Sequence, residues 1–107
     1  MRASLERAAL IRERVAELEK FFQDHAYAMP NPYALQRMKF LCTSLCVGDT
    51  YVSENVMKIS GLVERFYSVR RHENYPGGDD AIHSEIISLI GRIRTQADSV
   101  EYAQRNP

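Results

Sequence analysis

Tryptophan is missing from this chain, cysteine occurs twice, and net charge is zero, with 14 basic and 14 acidic side chains. Each scarcity excludes something. Two cysteines cannot build a disulfide framework. A balanced charge argues against a dedicated nucleic-acid domain, which is normally clearly basic. No apolar run is long enough to span a bilayer. The opening "MRASLERAAL" is charged and interrupted, unlike a signal peptide. These points together suggest a cytoplasmic protein. Glycine and proline number only five and four in 107 residues, so chain-breaking positions are few and informative.

What is present is helical periodicity. Apolar residues recur at three- and four-residue spacing nearly throughout, and no stretch alternates like a strand. The expected fold is all-α, a single-domain, antiparallel up-down-up-down four-helix bundle, with helices at about 4–27, 32–47, 50–72 and 80–104. Ser4 is a candidate N-cap of the first helix, whose seam is Leu5, Ala8, Ile11, Val15, Leu18 and Phe22. Arg2–Glu6 and Arg14–Glu17 pair on its outside. Asn31 caps the second helix, with Pro32 at its first position, and Gly48 stops it. Asp49 or Thr50 starts the third, with Val52, Val56, Ile59, Leu62 or Val63, and Phe66 inward. Asp79 or Asp80 caps the fourth, which buries Ile82, Ile86, Leu89, Ile90, Ile93, Ala97 and Val100.

A short connection makes the last two helices antiparallel neighbours. Setting His72 opposite Asp80 matches Phe66 with Ile86, Leu62 with Ile90, Ile59 with Ile93 and Val52 with Val100. It also sets Gly61 against Gly91. Close helix approach is the simpler reason for that glycine pair, and a cleft for a partner side chain is the alternative.

This topology gathers His25, His72 and His83 at one end, with Asp24, Glu73, Asp79 and Asp80 and the tyrosines Tyr27, Tyr33 and Tyr75. Imidazole and carboxylate are suitable metal ligands. Helix-end chemistry explains the same residues, because histidines suit a C-terminus and aspartates an N-terminus. No glutamate is followed three residues later by histidine, so the di-iron carboxylate pattern is absent. Cys42 and Cys46 read as buried free thiols. No nucleophile elbow or phosphate-cradling loop is present. "GGDD", residues 77–80, fits a turn followed by a cap rather than a cyclase hairpin. The basic residues Arg70, Arg71, Arg92 and Arg94 fall into two separate patches.

"RFYSVRRH", residues 65–72, is similar to the Arg–spacer–His motif of HEPN-family ribonucleases, which are also small α-helical bundles. The resemblance covers eight residues and the helix count. It implies Arg65 as a phosphate-holding group and His72 as general acid or base. The chain departs from the pattern at Phe66, where the family often has a polar residue.

The reading favoured from sequence is a small non-enzymatic protein-binding module of regulatory, adaptor or inhibitor type. It uses no cofactor, and its contact surface is Tyr27, Tyr33, Arg70, Arg71, His72 and Tyr75, residue types enriched in interface hot spots. A HEPN-like ribonuclease using Arg65 and His72 and a metal- or ligand-binding bundle using the histidine end are the alternatives. Helix one is long, about 36 Å, and places Phe21 and Phe22 on two faces. That predicts a homodimer burying the second face.

Overall fold

The computed structural model describes residues 2–26, 30–68 and 76–105, with side chains from Leu5 onward. Helices α1 (Arg2–Asp24), α2 (Pro32–Ser44), α3 (Thr50–Tyr67) and α4 (Gly78–Arg105) form an antiparallel four-helix bundle. Each helix packs on its two neighbours in cyclic order, and the Phe22 and Phe66 rings meet at 5.3 Å across the core between α1 and α3. The bundle measures 47 × 25 × 20 Å. Its long dimension is set by the 28 residues of α4, about 42 Å at 1.5 Å per residue.

One apolar stripe from each helix fills the centre. The stripe of α1 is Ala8, Ile11, Val15, Leu18 and Phe22, all buried, while Leu5 is only partly covered. Ala34, Met38, Leu41 and Cys42 enter from α2, followed by Leu45 at its C-cap. Helix α3 contributes Val52, Val56, Ile59, Val63, Phe66 and Tyr67, and α4 Ile82, Ile86, Leu89, Ile90, Ile93 and Ala97. Val63 takes the buried position and Leu62 packs at its margin. Val100 is half-buried. Leu62 and Leu89 share one groove between α3 and α4, and Tyr51 and Ser99 another, close to the expected register.

Helix boundaries differ from the periodic reading for local reasons. Helix α1 runs through Ser4 to begin at Arg2. It ends at Asp24, where the His25 N–H bonds the Phe21 and Phe22 carbonyls. Helix α2 stops at Ser44 rather than near Val47. The hydroxyls of Thr43 and Ser44 donate to the Lys39 and Leu41 carbonyls, and the Leu45 N–H tightens onto Cys42, a competition that often closes a helix. Helix α3 ends at Tyr67, with Ser68 extended. The Tyr67 carbonyl accepts instead from Asn31 N–H at 3.0 Å. Helix α4 starts at Gly78, so Asp79 and Asp80 lie inside its first turn, where carboxylates favour the helix dipole.

The caps of α2 and α3 are as expected. The Asn31 side chain accepts from Ala34 N–H at 3.0 Å, and that of Asp49 accepts from Val52 N–H at 2.9 Å. Arg14 does not pair with Glu17. It donates across the α1/α2 interface to the Ser44 carbonyl at 2.5 Å, satisfying an orphan acceptor at a helix end. Among the described residues, no helix is long and apolar enough to cross a membrane.

Candidate functional site

Five members of the contact surface expected from sequence, Tyr27, Arg70, Arg71, His72 and Tyr75, lie outside the described residues, as does Glu73. Tyr33 is described. It is 65% exposed in the first turn of α2. Its ring lies 6.1 Å from Phe21 and 6.2 Å from His25.

Phe21 and Phe22 do point to two faces, and each takes one histidine with it. His25 stacks on Phe21 at 4.0 Å, and its Nδ1 lies 2.9 Å from the Phe21 carbonyl. His83 instead packs among core aromatics, 4.9 Å from Phe22 and 6.1 Å from Phe66. Tyr67 locks this end of the bundle. Its hydroxyl donates to the His25 carbonyl at 2.6 Å, and its ring meets Phe66 edge-on. Burial pushes the Tyr67 phenol well above its ordinary range. Phe21 is half-buried and packs against the core. Among the described residues no group of histidine, cysteine and carboxylate side chains is placed to hold a metal ion.

The premise of the Arg–spacer–His reading also changes. Arg65 is exposed beside buried Phe66, but α3 closes at Tyr67 and Ser68 is extended. The described helix ends before His72, which lies outside the described residues. The cysteines separate as well. Cys42 is buried, and burial together with the neighbouring Cys46 pushes its thiol up to about 12. Cys46 falls past the end of α2 and is exposed, contrary to expectation.

The outer surface is uneven, and the two edges of α4 show it best. Along α1 the edge is tied by charge. Arg12 binds Asp98 at 2.7 Å and Glu101 at 2.5 Å, Arg94 binds Glu19, and Arg105 binds Glu101 at 3.1 Å. Hydrogen bonds from Arg12 and then Arg105 hold the Glu101 carboxyl below its ordinary value.

Along α3 the edge is open, and two grooves follow one another down the seam. The upper groove, about 390 Å³, has Gly61, Leu62 and Leu89 along its apolar floor, with Met57, Lys58, Arg65 and Glu85 at its rim. The lower, about 490 Å³, is polar, lined by Tyr51, Gly91, Arg92 and Gln96 and by three hydroxyl side chains of α4. A Cβ on either Gly61 or Gly91 would meet nothing within 4 Å. The two helices are therefore not drawn together by these glycines, and the cleft is the reading that fits. Met57 stands beside it, 74% exposed.

A second exposed apolar surface runs along α2. Phe40 is 61% exposed, one face away from the core, and the Arg37 guanidinium lies 5.3 Å from its ring centre. Sequence reasoning passed over Phe40, Arg37 and Met57. Their signal was available, since Phe40 and Met57 are large apolar residues that fall outside their helices' buried stripes.

The fold and this surface define the class: an antiparallel four-helix bundle whose α4 is tied to α1 by ion pairs and leaves two grooves along α3. Compared with protein families, with curated proteins and with solved structures, the chain matches none of them.

Proposed function

We propose that this chain is a small non-enzymatic protein-binding module that receives a helix of another protein along the α3/α4 seam. One observation carries the reading. The bundle leaves this seam unfilled although two of its positions, Gly61 and Gly91, have room for side chains. A helix interior normally disfavours glycine by about 1 kcal/mol relative to alanine, and among the described residues no close contact at either Cβ position offsets that. An apolar groove between helices, bordered by an exposed methionine, suits an amphipathic helix laid into it.

The α2 face provides the second reading. Tyr33 and Phe40, with Arg37 over the Phe40 ring, are hot-spot residue types standing in solvent. This face includes Tyr33, the one described member of the contact surface expected from sequence, and it is also the surface that would support a homodimer.

A pull-down from native-host lysate separates the two, using wild type, Met57→Glu and Phe40→Glu, all checked by circular dichroism. The seam reading expects a partner lost on Met57→Glu and kept on Phe40→Glu. The opposite pattern assigns the contact to α2. A mass of two chains in light scattering that reverts to one on Phe40→Glu assigns α2 to self-association. A partner retained by both variants contradicts the proposal, as does the absence of any partner or dimer.

A further inference from the structure

We infer that the segment received by the α3/α4 seam is acidic: an amphipathic helix whose apolar ridge enters the upper groove and whose Asp or Glu side chains meet Lys58 and Arg92. This rests on the seam reading above and adds the partner's charge to it.

Charge distribution points this way. The whole chain is balanced, but the seam is not. Lys58 and Arg92 line it against Glu85, while Arg65 at the upper rim is already engaged. Lys58 and Arg92 are exposed and, among the described residues, enter no ion pair. The cations on the other side of α4 contrast with them, because Arg94, Arg105 and the facing Arg12 all reach carboxylates. The exposed Glu64 of α3 turns the other way, to Lys39 of α2 at 2.7 Å. Glu64 is thus engaged elsewhere, and Glu85 is the acidic side chain that lines the grooves.

A nucleic acid would also supply anions, but the groove argues against it. Met57, Leu62 and Leu89 give phosphates nothing to bind, whereas they match the leucine or methionine ridge of a helix. Exposed charge pairs contribute modestly to affinity and more to the choice and orientation of a partner. A basic helix laid here would face Lys58 and Arg92 directly.

The full chain can be tested with two helix-locked peptides carrying the same leucine ridge, one flanked by glutamates and one by lysines, followed by fluorescence anisotropy at low and physiological salt. The glutamate-flanked peptide should bind about tenfold tighter, the effect of a few exposed pairs switched from repulsion to attraction. The preference should narrow as salt rises. Lys58→Glu/Arg92→Glu should reverse the order of the two peptides. Gly61→Leu should remove binding of both while circular dichroism is unchanged, since the new side chain enters open space.

Equal binding of the two peptides, binding of neither, or an unchanged order in the charge-reversed variant would overturn the inference. So would a DNA or RNA oligonucleotide that outcompetes the glutamate-flanked peptide. If the peptides show no charge preference but Met57→Glu still loses its lysate partner, the seam reading stands and the acidic partner falls. If Met57→Glu keeps its lysate partner, the seam reading itself falls.

Discussion

Helix α4 has two edges built from the same kinds of residue and finished in opposite ways. Toward α1, arginines from both helices reach carboxylates on the other, and the interface is closed from Glu19 to Glu101. Toward α3, the core beneath is equally well buried, with Ile86, Leu89, Ile90 and Ile93 at or near full burial, yet the surface above it holds two grooves and, among the described residues, two cations, Lys58 and Arg92, that enter no ion pair. Core packing therefore does not explain the difference. Both edges are buried underneath, and the α1 edge also carries ion pairs between the helices. An open, locally basic edge on an otherwise neutral bundle is a feature that folding alone does not demand.

The comparison can be broken most severely from below. Ile90 is fully buried between the two edges, and Ile90→Ala should destabilise the fold by about 2–5 kcal/mol. Chemical denaturation measures this, and hydrogen exchange should then rise along both edges of α4 alike. Asp49 is the next largest lever. It caps α3 and also accepts from Gln96 Nε2 at 3.0 Å, bridging the lower end of the open edge. Asp49→Ala should cost about 1–2 kcal/mol, with exchange rising first in the opening turn of α3.

The closed edge should respond least at neutral pH. Exposed ion pairs are worth little there, so Arg12→Met should move the melting temperature only slightly. Its acid response is more telling. The Glu101 carboxyl is held below its ordinary value by Arg12 and then Arg105. That contribution is complete above the unfolded glutamate value, about pH 4.3, and is lost as pH falls through the folded value. Wild type should therefore lose stability in that acid window more steeply than Arg12→Met, as thermal melts at stepped pH would show.

Much of the bundle was legible in the sequence because burial imposes a period. The stripes of α1, α3 and α4 and the caps at Asn31 and Asp49 follow from apolar spacing and from side chains that satisfy backbone N–H groups. Helix ends were less legible, since they depend on contacts from distant residues. The end of α3 at Tyr67 is set by hydrogen bonds to Asn31 and His25, which no local pattern reveals. The fate of Cys46 turns on α2 closing at Ser44. The seam itself was half-visible. The Gly61/Gly91 pair stood out, but whether it brings helices together or leaves a cleft depends on where their Cβ positions point, and that is a property of the assembled bundle.

The central claim, that the α3 edge of α4 is left open for something other than folding, is tested most directly by the melting temperature of Gly61→Ala/Gly91→Ala. Both positions are helix interior with open space at the Cβ. The account predicts a rise, from about 1 kcal/mol of added helix stability per site, or several degrees for a domain of this size. Gly77→Ala is the control of opposite sign, because Gly77 has φ +87° and its Cβ would lie 2.6 Å from that of Ala81. A fall in melting temperature for the double variant would mean that these glycines serve the packing of the bundle, and would contradict the account.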